Sequence, residues 1–202
     1  MDKTNKRKLV SKLINYSNKI QNKKVRKNKI QNILKNINNK MEFIQSKSIQ
    51  DYSVVLDGLY PDFGSHFCHT ILKWCEVMAG TKESFQFWEV WLIRQDNNTI
   101  GICGLYSLDD KIDTLWLGWF GIIPEFRNGG LGVECINFLK DTARSVGASK
   151  IMSYVGSDGK PLSFYYRNGF IEVCRVEQYV KENNLDMEDF ESGNDYIIEC
   201  IL

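Results

Sequence analysis

The chain has 202 residues, 43% of them hydrophobic, and a formal net charge of +1, which suits one domain with a real core plus an extension. No run of eighteen apolar residues occurs and the basic N-terminus lacks the apolar stretch of a secretory signal, so neither a membrane-spanning helix nor an export leader is expected. The near-neutral total hides an asymmetry: residues 1–40 carry 13 of the 26 Lys and Arg against one acid, Asp2, which leaves residues 41–202 with a formal net charge of −11.

Residues 1–40 are rich in Asn, Lys and Ile. Leu9, Leu13, Tyr16 and Ile20, then Ile30, Ile33, Leu34, Ile37 and Met41, recur at helical spacing, which predicts one or two basic amphipathic helices. Such a segment can meet nucleic acid or an anionic membrane surface, but a charge run is more often a solvated face. The expected division is a basic helical extension over 1–40 and a folded domain over 41–202.

Within 41–202 the pattern predicts a strand over 42–46 and two helices, Ile49 to Leu59 and Phe63 to Met78, around Pro61. Strands follow at Trp88 to Arg94 and Thr99 to Tyr106, joined by a turn at Asp96-Asn97-Asn98. Another turn at Asp109-Asp110 leads to a strand from Thr114 to Ile122, and the three strands form an antiparallel meander. Leu131 to Val146 reads as a helix burying Leu131, Cys135, Phe138, Leu139, Ala143 and Val146, capped by Gly147. A strand at Lys150 to Val155, a short helix at 161–168, and strands at Glu172 to Val180 and Tyr196 to Leu202 complete the chain. The fold class expected is α/β (α+β): a three-layer sandwich with a mixed sheet of about seven strands and helices on both faces.

The most informative segment is Ile122-Ile123-Pro124-Glu125-Phe126-Arg127-Asn128-Gly129-Gly130-Leu131-Gly132. A buried strand, a glycine-rich turn and a helix start together make a phosphate site. Unpaired amides at a helix N-terminus point outward, the helix dipole favours negative charge there, and glycine lets a ligand approach the backbone. Arg127 adds a forked cation. The spacing fits neither a dinucleotide fingerprint, since Cys135 stands where the third glycine belongs, nor a Walker A loop, since Pro161 follows Gly159-Lys160. It fits R-x-x-G-x-G, as Arg127, Gly130 and Gly132.

At this point the chain resembles the GNAT superfamily of N-acetyltransferases, whose acetyl-CoA pyrophosphate loop has the form [QR]-x-x-G-x-[GA]. A second block agrees. Phe164-Tyr165-Tyr166-Arg167-Asn168-Gly169-Phe170 is similar to the F-Y-x-x-x-G-F segment that ends the family's core, and it follows at the expected distance. The resemblance covers roughly residues 41–202. It implies acetyl transfer from acetyl-CoA to a primary amine, directly, in a ternary complex. It also implies that Ile122 and Ile123 offer backbone groups to the pantetheine arm, and that Arg127, Asn128, Gly129, Gly130, Leu131 and Gly132 hold the pyrophosphate. Gly118 and Gly121 then mark a bulge in the strand, where it splays from its parallel neighbour.

By the same resemblance Tyr165 is the general acid near the sulfur, and Tyr166 faces another way. Several family members carry a glutamate base six residues before the position of Ile122, but Trp116 stands there. Asp158, Asp113 and Glu89 are the remaining carboxylates, and the favoured reading of Asp158 is a cap on the following helix. The departure at Trp116 keeps open a non-catalytic acyl-CoA-binding or sensor module, and the basic extension keeps open a nucleic-acid-associated protein.

Tyr60, Phe63, Trp74, Trp88, Trp91, Trp116 and Trp119 are many aromatics for one domain; some must be core, and others can wall an acceptor pocket. His66, Cys68, His69 and Cys75 do not have the spacing of a closed tetrahedral site, so no metal is expected. The six cysteines form no C-x-x-C pair and sit mostly in apolar runs, so a reducing, cytoplasmic setting is expected. The acceptor and the oligomeric state are not written in the sequence.

Overall fold

The structure is a computed structural model, and it describes residues 41–46, 49–59, 61, 87–107, 112–127, 129–156, 160–185, 187 and 195–202. The basic extension 1–40, the expected helix 63–78, Asn128 and Asp158 lie outside the described residues.

Seven strands form one sheet in the order β1-β2-β3-β4-β5-β7-β6. They are β1 Glu42–Ile44, β2 Trp88–Gln95, β3 Asn98–Tyr106, β4 Thr114–Ile122, β5 Lys150–Val155, β6 Ile171–Arg175 and β7 Tyr196–Ile201. The first four pair antiparallel in sequence order, β4 and β5 pair parallel, and β7 inserts between β5 and β6. Asp96 and Asn97 both take positive φ, 50° and 65°, which is the two-residue hairpin turn that matches strand twist.

Among the described residues four helices flank the sheet: α1 (53–59), α2 Leu131–Ser145, α3 Lys160–Arg167 and α4 Val176–Asn183. Alternation along the strands sorts them between two faces. Trp91 and Ile93 of β2, Ile151 of β5 and Ile198 of β7 join a core with Cys135, Ile136 and Leu139 of α2 and Tyr165 of α3. Their neighbours point the other way. Val90 and Leu92 meet Val55 and Leu59 of α1, while Trp116, Met152 and Ile197 meet Val176 and Val180 of α4. The outcome is the three-layer arrangement expected from the element order.

Helix α2 ends where the sequence suggests. Gly147 has φ 89°, its amide donates to the Arg144 carbonyl at 3.0 Å, and the Ala148 amide reaches back to Ala143 at 3.0 Å. Phe138 and Val146 are half-buried rather than buried, and the Phe138 ring stacks on Phe43 with centroids 3.8 Å apart.

One expected element is wrong. Glu172 to Val180 is not a single strand: β6 stops at Arg175 and α4 begins at Val176. Val176, Tyr179 and Val180 lie at i, i+3 and i+4, and a helix puts all three against Trp116, Met152 and Ile197. An extended chain would send Val176 and Tyr179 to opposite faces. The expected helix 49–59 also starts differently, with a 3-10 turn at Ile49–Tyr52 before α1.

Candidate functional site

The parallel pairing of β4 with β5 is short. It runs Thr114↔Lys150, Leu115↔Ile151 and Trp116↔Met152, then stops. Beyond it, Ser153 to Val155 pair with β7 alone, while Leu117, Gly118, Gly121 and Ile122 pair with β3. The two strands therefore part after Trp116 and Met152 and leave a wedge between them.

A bulge lies in the part of β4 that borders the wedge. Gly104 of β3 faces Gly118 and Ile102 faces Gly121, so two residues, Trp119 and Phe120, stand opposite Cys103 alone. Trp119 takes φ 50°, the left-handed region that a bulky side chain enters at a cost of about 1–3 kcal/mol. Gly118 and Gly121 bracket the bulge rather than occupy it.

Phe120 turns towards α3. Its ring lies 5.8 Å from Phe164 and 6.4 Å from Tyr165. A Cβ on Gly132, at the start of α2, would come within 3.0 Å of the Phe164 ring. The second glycine of R-x-x-G-x-G is thus also a packing requirement, because it seats α2 against α3.

At the end of β4 the Ile123 amide donates to the Ile100 carbonyl at 2.9 Å, on the β3 side. Strand alternation turns the backbone groups of Ile122 to the opposite edge, towards the wedge. There the Ile122 carbonyl accepts a hydrogen bond from Arg127 Nε at 2.7 Å. The guanidinium of Arg127 is therefore folded back onto the strand end. Pro124–Phe126 form a 3-10 turn between them.

Gly130 is the N-cap of α2, with φ 80°, ψ −3° and no side-chain cap. The Val133 and Glu134 amides both use the Gly130 carbonyl, at 3.0 and 3.3 Å. The amides of Leu131 and Gly132 have no intrahelical acceptor, as the first residues of a helix never do. They form the positive end of a fifteen-residue helix, beside exposed Gly129 and Gly130.

Tyr165 is buried on α3 between Phe164, Phe170 and Phe120, with centroids at 5.4, 5.3 and 6.4 Å. Burial raises its phenol above the ordinary value, so the hydroxyl keeps its proton throughout the physiological range. Tyr166 is exposed and donates to Glu172 at 3.1 Å.

The two described carboxylates considered as bases lie apart from this cluster. Asp113 is exposed at the start of β4, and its carbonyl accepts from the Ser149 amide at 2.8 Å. The whole of β4 separates it from the loop, roughly 30 Å at a strand's rise per residue. Glu89 stands on β2, in line with Leu105 and then Leu117, two strands from the wedge.

Glu89 Oε2 is buried and has no hydrogen-bond partner among the described residues, and desolvation raises its carboxyl pKa above 4.5. Over the window that starts at 4.5 and ends at this raised value, the folded chain holds a proton that the unfolded chain has lost. Stability falls as pH rises through that window, and the loss is complete above it. Glu89→Gln is therefore expected to raise the melting temperature at pH 7 and to flatten its decline above pH 4.5. Melting curves from pH 4 to 8 check this; a variant with the parent's pH dependence would contradict it.

Among the described residues no three His, Cys, Asp or Glu side chains gather as metal ligands. His66, Cys68, His69 and Cys75 lie outside them.

A family model described as the acetyltransferase (GNAT) family matches residues 59–170, more than half of the chain. The chain belongs to the GNAT acetyltransferase family. Solved structures agree on the fold. A GNAT acetyltransferase from Elizabethkingia anophelis, crystallised with acetyl-CoA bound, is similar with a TM-score of 0.56 and 18% identity, over 82% of this chain and 99% of that one. The PaiA N-acetyltransferase of Thermoplasma acidophilum, in complex with coenzyme A, has a TM-score of 0.56 and 15% identity over 81% and 99%. A GNAT protein from Desulfovibrio desulfuricans reaches a TM-score of 0.62 at 15% identity over 80% and 99%. No curated protein sequence matches the chain.

Besides the turn of Arg127 onto Ile122, sequence reasoning missed two features of this GNAT domain. Trp119 in the left-handed region carries no signal, because a tryptophan in an apolar run reads as ordinary strand. The contact of Gly132 with Phe164 joins two motifs that the sequence offers separately.

Proposed function

We propose that residues 41–202 form an acetyl-CoA-dependent N-acetyltransferase domain that transfers acetyl to a primary amine directly, in a ternary complex. One observation carries this reading: the β4–β5 wedge opens beside the uncapped start of α2. A phosphate there would meet the Leu131 and Gly132 amides and the helix dipole. Gly129 and Gly130 give it close approach, with Arg127 and Asn128 on the same loop. The wedge edge of Ile122 offers backbone groups to an extended arm, and Ile123 completes the strand end. Acetyl-CoA would supply the activated acetyl thioester.

An attacking amine must first shed its proton, here to Asp158 or through water, and the departing thiolate must be met by a donor. Tyr165 is that donor. Full proton transfer to sulfur is uphill, because the buried phenol binds its proton more tightly than a thiol does. Hydrogen bonding to the developing thiolate therefore does most of what Tyr165 contributes. A reducing, cytoplasmic setting belongs to this reading and fits the free thiols of Cys103, Cys135, Cys174 and Cys200. Residues 1–40 are a separate basic extension in the same reading, with contact to nucleic acid or an anionic surface as its alternative role.

Trp116 favours a second reading. It is buried against Tyr179, with centroids 5.6 Å apart, at the position where the family resemblance implies a glutamate in several members. On that reading the domain binds acyl-CoA as a sensor. Calorimetry with acetyl-CoA tests the shared part: saturable binding at micromolar to millimolar concentration is expected, and no binding sinks both readings. Thiol release across a panel of amines separates them.

A further inference from the structure

On the face of the sheet opposite α2 and Tyr165, three rings close into a triangle. Trp88 and Trp119 stack at 5.4 Å and 28°, Tyr106 lies 5.7 Å from Trp119, and Trp88 lies 5.8 Å from Tyr106. All three are half-buried. The backbone makes room for them. A Cβ on Gly104 would stand 3.0 Å from the Trp119 ring, and one on Gly118 would stand 3.2 Å from the Tyr106 ring. Trp119 reaches across β3 only because its own backbone takes φ 50°. Strain of this kind persists where the surrounding structure holds it for a purpose, and ligand sites are a common one.

The position matters as much as the rings. Trp119 leaves β4 within the splayed stretch and its ring lies over Gly104 of β3, on the side away from β5. Below it, the last paired residue, Trp116, meets Tyr179 edge-on. The other face is taken by Phe120, Phe164, Tyr165 and the start of α2. A cosubstrate held at the start of α2 therefore lies across the sheet from these three rings.

We infer that Trp88, Tyr106 and Trp119 form the acceptor wall and that the acceptor is an arylalkylamine, a primary amine on a short linker from an aromatic ring. The inference rests on the proposed acetyltransferase reading. Uncharged π faces bind a flat aromatic body by stacking. A short linker then carries the nitrogen from the wall to the wedge.

The test compares phenethylamine with n-butylamine and spermidine in the full-length protein. Acetyl-CoA calorimetry is run first, so that failure of the parent reading is seen separately. Phenethylamine is expected to exceed both other amines in kcat/KM by about 10-fold or more. Trp88→Ala is expected to remove most of that preference through KM, with acetyl-CoA affinity unchanged, and Trp88→Phe is expected to restore it. Binding of phenethylamine to protein saturated with CoA gives a readout independent of turnover and should weaken in Trp88→Ala alone. Equal use of butylamine, or a Trp88→Ala protein with the parent's selectivity and amine affinity, overturns the inference.

Discussion

Turnover is expected to fall about 100-fold in Tyr165→Phe while acetyl-CoA affinity stays within about twofold, a loss typical of removing one preorganised donor. The phenol is buried among Phe164, Phe170 and Phe120. Phenylalanine fills the same space and keeps the ring contacts, so the change removes one hydroxyl and little packing. A loss of about 100-fold corresponds to about 2.7 kcal/mol of transition-state stabilisation. Steady-state thiol release and calorimetry on the same preparation measure both quantities. Unchanged turnover would leave Tyr165 a core residue only. An equal loss of affinity would give it a binding role instead. Because the raised pKa keeps the phenol protonated, no decline in rate from its ionisation is expected up to pH 10.

Gly130→Asp should weaken acetyl-CoA binding at least 100-fold relative to Gly130→Asn, and both proteins should fold. Among the described residues beyond its chain neighbours no atom lies within 4 Å of a Cβ at this position, so there only the positive φ resists a side chain. Asn and Asp are the residues that tolerate that region best, at up to about 1–2 kcal/mol. The two variants share a shape and differ by one charge. A carboxylate about 4 Å from a phosphate costs about 4 kcal/mol at an effective dielectric constant of 20. The same carboxylate at the start of α2 stabilises the helix dipole. Gly130→Asp should accordingly melt no lower than Gly130→Asn while binding far more weakly. Equal affinities in calorimetry would remove the phosphate from this loop.

The legible parts of the fold were those whose pattern has a single solution. Leu131, Cys135, Leu139 and Ala143 repeat at helical spacing and end at Gly147, so α2 could be read to within one residue. Strands β2 to β4 carry dense apolar runs bounded by turn residues, and their meander follows. The error at Glu172 to Val180 has a physical cause. β6 is an edge strand with Ile171 and Val173 exposed, so its alternation says nothing about a core. Val176 and Val180 reveal their helix only once Trp116, Met152 and Ile197 are in place beneath them. At the candidate site the loop was legible because glycine spacing is a backbone requirement. The left-handed Trp119, the backward turn of Arg127 onto Ile122 and the Gly132–Phe164 contact are tertiary facts with no local trace.

The short pairing of β4 with β5 has a mechanical consequence. Apart from edge strand β1, no neighbouring pair in the sheet shares so few registered residues. This seam divides the sheet into an antiparallel block of four strands and another of three. Each block keeps its own ladder intact if the seam yields. Opening there would break fewer ladder pairs than opening at any other internal seam, and it would leave both blocks paired. The sheet is thus built as two stiff plates on a soft joint, and the candidate site lies along the joint.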